Sequence, residues 1–374
     1  MKFVVQVRLF PTPAEEAALA DTLRLCNEAA NLVSRAAWDM KTFRNYDLRR
    51  HTYTRLKDMG LSAQPAQHVI KKVADAYTTV KAQVKATMRK PLTKPIGFRP
   101  DAAQPYDDRC LSWQVQARTV SIWTTGGRMK GVRFGCSDTQ AAALAAYRNG
   151  ESDLVHRAGM WLLVATCDIP DTDVTDPSGF LGVDLGIANT ATTSDGTTHA
   201  GKHLNAVRHR NRELRRRLQT KRTKSAKRLL KARRRKEARF ARDLNHVISK
   251  SIVTEAARTG RGIALEDLSG IRDRVRLRKP QRVTLHSWSF HQLGQFVAYK
   301  AARAGVALVH VDPAYTSQGC SACGHIDKRN RPDQETFRCR SCGFAEHADV
   351  NAARNIASRG VAGWAVSHAA DDAA

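Results

Sequence analysis

Nowhere in the 374 residues does an apolar run approach the roughly 18 residues that a membrane-spanning helix needs. No amphipathic anchor lies beside a lipidation site, so a membrane partner is not expected. The opening stretch from Lys2 to Phe10 alternates like a β-strand and lacks the apolar core and cleavage site of a signal peptide. A disulfide framework is missing too. Of eight cysteines, Cys26, Cys110, Cys136 and Cys167 are scattered and read as buried thiols, while the other four form two CxxC pairs. That placement fits a reducing compartment and one metal site. Acidic residues are scarce: 35 Asp and Glu face 62 Lys and Arg, a formal charge of +27. Such an excess opposes compaction unless a polyanion neutralises it, so the expected partner is nucleic acid and not a small-molecule substrate. The expected location is cytoplasmic and nucleoid-associated. No internal repeat is present.

Two halves differ in pattern. After the first strand, Pro11-Thr12-Pro13 breaks the chain, and Leu19, Leu23, Cys26, Ala30 and Val33 recur at helical spacing. Helices are expected again at 48–58 and 64–89, until Pro91, Pro95, Pro100 and Pro105 close the block. Short β-rich segments at 111–113, 119–123, 131–134 and 161–166 then suggest a small barrel that includes the first strand. A stretch bearing Asp and Pro, 171–179, reads as a linker. From 180 onward the order is three strands, long helices over 204–258, a strand at 262–266, a helix near 287–304, a strand at 306–311 and a helix at 349–358. This is the order of an RNase H-like unit. Phe240, Leu244, Val247, Ile248 and Ile252 form the apolar stripe of the long helical stretch.

Three acids stand at element ends in that second half: Asp184 in Gly182-Val183-Asp184-Leu185-Gly186, Glu266 in Leu265-Glu266-Asp267-Leu268, and Asp349 in Asp349-Val350-Asn351-Ala352-Ala353. They are too far apart in sequence for a local motif, so only a fold could join them. Converging carboxylates repel unless cations neutralise them, and hard oxygen ligands favour Mg²⁺ or Mn²⁺. Two such ions can activate a water and stabilise the leaving oxygen of a phosphodiester. Asp267 rivals Glu266, but strand alternation puts only one of them on the site face. Cys320 and Cys323, then Cys339 and Cys342, with 15 residues between the pairs, indicate structural Zn²⁺ held by four thiolates. Gly324 and Gly343 supply the turns after each pair.

Residues 208–242 hold 18 Lys and Arg against two Glu. A solvated helix face mixes signs; this one does not, so a phosphate backbone is the natural counter-charge. The candidate contacts are Arg208, Arg210, Arg212, Arg215, Arg216, Arg217, Lys221, Arg222, Arg233, Arg234 and Arg235. Trp113, Trp123, Trp161 and Trp288 read as core residues, with base stacking the alternative. His347 reads as a surface histidine, with proton transfer the alternative.

Gly182-Val183-Asp184-Leu185-Gly186-Ile187, Leu265-Glu266-Asp267-Leu268, Tyr315-Thr316-Ser317-Gln318-Gly319-Cys320-Ser321-Ala322-Cys323-Gly324 and Asp349-Val350-Asn351-Ala352-Ala353-Arg354-Asn355-Ile356 together resemble the RuvC nuclease and zinc-finger motifs of TnpB. These are insertion-sequence proteins from which type V CRISPR effectors derive. The resemblance runs from about 180 to 358. Over the first 178 residues it is looser, resting on the first strand, the helical block and Pro95-Ile96-Gly97-Phe98-Arg99.

The resemblance implies an α+β, multidomain chain: a wedge β-barrel (1–10 and 91–170) with an inserted helical recognition domain (11–90), the linker, and an RNase H-like (RuvC) α/β nuclease domain (180–314 and 346–358). A zinc-finger insert (315–345) interrupts the nuclease domain, and 359–374 would be a disordered tail. The implied activity is RNA-guided DNA cleavage beside a short transposon-adjacent motif, with a transposon-derived guide RNA, double- and single-stranded DNA target, Mg²⁺ or Mn²⁺ on Asp184, Glu266 and Asp349, and Zn²⁺. Asn351 would support the site from behind. A compact type V CRISPR effector and a guided repressor that does not cut are the alternatives.

Overall fold

The computed structural model describes residues 1–268 and 290–371. Helices and sheets mix in two compact units, Met1–Pro170 and Asp171–Ala374. No helix among the described residues is long and apolar enough to cross a membrane.

In the first unit, β1 (Lys2–Leu9) leads through Pro11-Thr12 into α1 (Pro13–Met40). Thr12 and Glu15 cap that helix reciprocally, each side chain meeting the other's backbone N–H. Leu19, Leu23, Cys26, Ala30 and Val33 are all buried, as their spacing predicts. α2 (Asn45–Asp58) and α3 (Ala63–Lys85) complete a helical layer around Val33, Leu56, Val69 and Val73. Asn31 binds the backbone of Phe98 through both ends of its amide, and Ser34 donates to the carbonyl of Ile96. These bonds tie the 96–98 segment to α1.

The strands β2 (Gln104–Tyr106), β3 (Leu111–Gln114), β4 (Thr119–Thr124), β5 (Gly127–Gly135), β6 (Arg148–Arg157) and β7 (Met160–Asp168) join β1 in one antiparallel, nearly closed sheet. Its order is β2-β6-β7-β1-β5-β4-β3. The sequence reading missed β6 and the helix before it, α4 (Asp138–Tyr147). Polar Arg148-Asn149-Gly150-Glu151 looks like a loop, and only pairing with apolar β7 makes it a strand. Trp113, Trp123 and Trp161 pack in or against this core. Trp288 lies outside the described residues, as do the first three residues expected for the helix near 287.

In the second unit, residues 171–179 are not a free tether. Thr175 N and Ser178 N donate to the carbonyls of Gly305 and Gly260. The sheet that follows runs β10 (Thr198–Ala200), β9 (Asn189–Thr193), β8 (Phe180–Asp184), β11 (Gly262–Glu266), β12 (Leu308–Val311). The last three are parallel to one another, and β9 is antiparallel to both β8 and β10.

Between β10 and β11 a helical hairpin forms from α5 (Lys202–Lys221) and α6 (Lys224–Arg258). Left-handed Arg222 ends the first helix and the Thr223 hydroxyl caps the second. Of the stripe expected on α6, Ile248 and Ile252 are buried, Phe240 and Leu244 are half-buried, and only Val247 departs from it, at 64% exposed; Val253 and Ala256 extend the buried face. With α7 (Phe290–Arg303), this part of α6 covers one face of the sheet.

The other face is covered by α8 (Ala348–Asp371). The expected disordered tail is therefore corrected as far as Asp371, because the helix does not stop at 358. Gly360 lies flush on Ala264 and Phe180, and Trp364 packs on Phe180 with ring centroids 5.9 Å apart. Small residues let the helix approach that closely. Between β12 and α8, the short strands β13 (Thr336–Arg338) and β14 (Ala345–His347) pair beside the four cysteines.

Candidate active site

Strand alternation selects which acids face α8. On β8 and β11, Leu181, Val183, Ile263 and Leu265 point into the core under α6 and α7. Phe180 and Ala264 point the other way, toward Ile356 of α8. Asp184 and Glu266 share the parity of that second set. The parallel register pairs Ala264 with Gly182 and Leu265 with Val183, and one further step sets Glu266 beside Asp184. Asp349 sits in the first turn of α8, 7% exposed. The excluded neighbour, Asp267, is exposed, with its N–H on the carbonyl of Val311.

Asp184 feels the other two acids. Burial pushes Asp184 up to about 8, the carboxylates of Glu266 and Asp349 add to the rise, and Arg331 opposes it. Burial also raises Glu266, against the Thr316 hydroxyl and Arg359, which favour its charged form. Two of the acids have hydrogen-bond partners of their own. Asp349 accepts from Arg331 Nη2 on one oxygen and Asn189 Nδ2 on the other, both at 2.9 Å. Glu266 Oε1 accepts from Thr316 Oγ1 at 2.5 Å. The three carboxylates are not among the ligand clusters drawn within 4.8 Å in the described residues. The donor set, three carboxylates with oxygen ligands only, fits Mg²⁺ or Mn²⁺.

Arg331 carries no signal of its own in the sequence, lying among charged loop residues, and Thr316 is marked only as part of the segment that leads into the first cysteine pair. His347 is neither a free surface histidine nor placed as a base: its Nδ1 accepts the N–H of Asp349, capping α8. Asn351 is buried but holds no acid. It accepts from Ser321 N and donates to the carbonyl of Gly319, so it grips the loop entering the first cysteine pair.

Cys320, Cys323, Cys339 and Cys342 come together, the first and third buried, the other two exposed. Sγ of Cys320 is 3.7 Å from that of Cys342, and Sγ of Cys323 is 3.6 Å from that of Cys339. Four thiolates at about 2.3 Å from a tetrahedral zinc would stand about 3.8 Å apart, so the set fits Zn²⁺. Gly324 and Gly343, at φ of 76° and 78°, close the two knuckles in a conformation that favours glycine. The N–H groups of Cys342 and Ser341 hold the Cys339 thiol down at about 6, favouring a thiolate. In a second cluster, His68, Asp107 and Cys110 of the first unit, Asp107 is already taken by hydrogen bonds, while His68 Nδ1 has no partner among the described residues. Asp107 accepts the N–H groups of Arg109 and Cys110 on one oxygen and Gln64 on the other.

The basic hairpin is exposed at Arg210, Arg212, Arg215, Arg216, Arg217, Lys221, Arg222, Arg233, Arg234 and Arg235. Arg208 differs. It is half-buried, burial lowers its pKa, and its Nη2 has no hydrogen-bond partner among the described residues. Part of the block is internally neutralised: Arg215 pairs with Glu237 at 2.7 Å, while Arg216 and Arg217 share Glu213 at 3.0 and 3.4 Å. Arg233, Arg234 and Arg235 make no ion pair among the described residues, which makes them the better candidates for phosphate.

Two family models match this half of the chain: one described as "Probable transposase" over residues 164–269, the other as "Cas12f1-like, TNB domain" over 290–356. The CRISPR-associated endodeoxyribonuclease Cas12f1 of Sulfoacidibacillus thermotolerans is 46% identical over 119 residues, 32% of this chain and 27% of that protein. The TnpB-like protein MJ0751 of Methanocaldococcus jannaschii is 34% identical over 119 residues, 32% of this chain and 42% of that protein. The chain thus spans less than half the length of either relative. A cryo-EM structure of a Cas12f1–sgRNA–target DNA complex superposes with a TM-score of 0.60, covering 96% of this chain and 98% of that one at 14% identity, a likeness of fold alone. The matched segments, 164–269 and 290–356, take in both acidic strands, the four cysteines and the start of α8, and it is there that this chain is similar to TnpB and Cas12f proteins.

Proposed function

We propose that the protein is an RNA-guided DNA endonuclease of a transposon, cutting target DNA beside a short adjacent motif by metal-dependent hydrolysis of a phosphodiester. The observation that carries this reading is the shared face of Asp184, Glu266 and Asp349 on β8, β11 and α8, with the pKa of Asp184 raised by burial and by the other two acids. On this reading the second unit is an RNase H-like (RuvC) nuclease with an inserted zinc finger. The first unit supplies the wedge barrel and the helical recognition layer. The three acids would hold Mg²⁺ or Mn²⁺, and the cations would activate the attacking water and stabilise the leaving oxygen.

The chain's own residues prepare that chemistry. Asp184 would be a ligand in its ionised form, which a bound cation would favour. Thr316 holds one oxygen of Glu266 and would leave the other to a cation. Asn189 and Arg331 orient Asp349, and Arg331, released from that ion pair, would be free to meet a phosphate bidentately. The exposed cations of the α5–α6 hairpin would neutralise backbone phosphates of guide or target, positioning them without reading sequence. Base pairing to a guide would read the target. A location at the nucleoid follows from the same charge.

The test is to sequence the RNA that copurifies with the protein and then assay cleavage of a duplex matching its guide end. Wild-type protein with Mg²⁺ should cut, and Asp184→Ala should bind the duplex without cutting. Absence of a discrete RNA, or equal cutting by the variant, would overturn the proposal.

A further inference from the structure

Thr316 stands at the junction of two sites that the sequence keeps apart. Its side chain, 3% exposed, donates to Glu266, while its carbonyl accepts from Asn355 Nδ2 of α8 at 2.9 Å. The same Asn355 amide donates to the carbonyl of Gly319 at 2.8 Å, and Asn351, one turn earlier on α8, donates to that carbonyl too, also at 2.8 Å. Gly319 immediately precedes Cys320. The turn between is tight: Tyr315 has φ of 61°, a conformation uncommon for a non-glycine residue, and its carbonyl accepts the N–H groups of Gln318 and Gly319. One helix therefore carries Asp349 itself and grips, through two asparagines, the loop whose threonine holds Glu266.

We infer that Thr316 is a positioning residue for Glu266, and that Asn355 sets its place from α8 at the root of the zinc knuckle. This rests on reading the three acids as metal ligands. A glutamate side chain has three rotatable bonds, and a bare one would spread its oxygens over several rotamers. Anchoring one oxygen leaves the other aimed, so less ordering remains when a cation binds. Partners of ligating carboxylates commonly change metal affinity by about 10–100-fold when removed.

The experiment is Mn²⁺ binding to the full chain without nucleic acid, following free Mn²⁺ by electron paramagnetic resonance. Thr316→Val should raise the half-saturating Mn²⁺ concentration about tenfold, while Thr316→Ser, which keeps the hydroxyl, should restore most of the loss. Zinc content and melting temperature should stay at wild-type values in both. Asn355→Ala should weaken Mn²⁺ binding in the same direction, and the double variant with Thr316→Val should be no weaker than Thr316→Val alone, because both act on one path.

Unchanged affinity in Thr316→Val, with binding abolished by Asp184→Ala, would overturn the positioning role and leave the metal site standing. Unchanged affinity in Asp184→Ala as well would bring down the metal-site reading itself. Loss of zinc or of melting temperature in Thr316→Val, unrescued by serine, would make Thr316 a folding residue only. Additive effects in the double variant would break the link to Asn355.

Discussion

Gly182 of β8 lies flush against Ala353 of α8: a Cβ on the glycine would overlap the alanine's carbonyl oxygen and come within 2.5 Å of the amide nitrogen of Ala357. The atoms in the way are backbone, which cannot swing aside. Two residues along the strand is Asp184, and four before Ala353 in the helix is Asp349. The absence of a side chain at Gly182 thus lets two acids approach. Gly182→Ala should lower stability by about 1–3 kcal/mol or more, read as the urea midpoint, and should weaken Mn²⁺ binding as α8 is pushed off. An unchanged midpoint would show that the helix does not need this contact.

The zinc knuckles are expected to hold one Zn²⁺ per chain. Cys320→Ser or Cys342→Ser should lower zinc content by elemental analysis and reduce the melting temperature, since binding energy at a structural site is folding energy. The buried Cys320 should be the more damaging of the two. Protein without zinc at wild-type melting temperature would exclude this role.

For the basic hairpin, the ion pairs rank the arginines. Arg233, Arg234 and Arg235 changed together to Gln should weaken nucleic-acid binding more than the same change at Arg215, Arg216 and Arg217, whose charges already face Glu237 and Glu213. Each lost phosphate contact should flatten the log–log salt dependence by about 0.9 for duplex DNA, or 0.7 for a single strand. Titrations across a salt series measure both. An equal loss in the two triple variants would remove the distinction.

Acid should destabilise the first unit through His68. Burial lowers its pKa below the ordinary 6.5, Lys71 adding to this while Asp107 and Glu151 oppose it. The unfolded chain therefore takes up a proton at a pH where the folded His68 does not. Stability from this group is present above about 6.5 and is lost as pH falls from there through the folded value. His68→Gln should show a shallower fall in melting temperature between pH 7 and about 5 than the wild type. Parallel pH profiles would refute the assignment.

Truncation after Ser358 removes Gly360 and Trp364 from their seats on Phe180 and Ala264. It also removes Arg359, which donates to the carbonyl of Asp312 and favours the charged form of Glu266. Melting temperature and Mn²⁺ affinity should both fall. If neither changes, the last turns of α8 are ornamental.

Much of this protein is legible in its residues because the signals are local. Thr12-Pro13 and Glu15 announce a helix start, the Cys320 and Cys339 pairs with their following glycines announce two knuckles, and the excess of positive charge announces a polyanion. The faces of β8 and β11 follow from a period of two, so that alternation alone separates Glu266 from Asp267. Other features had no local sign. β6 is a strand because β7 pairs with it, and Val247 is exposed while its neighbour Ile248 packs in the core. The small and polar residues after 358 continue a helix because Phe180 and Ala264 leave a groove that only residues such as Gly360 fit. Arg331, Asn189 and Thr316 reach the acids across 18, 160 and 50 residues of chain. Sequence determined which chemistry was available, since residue type and local period are written in it. The tertiary structure decided which side chains share that chemistry, since contact between distant residues exists only once the backbone has closed.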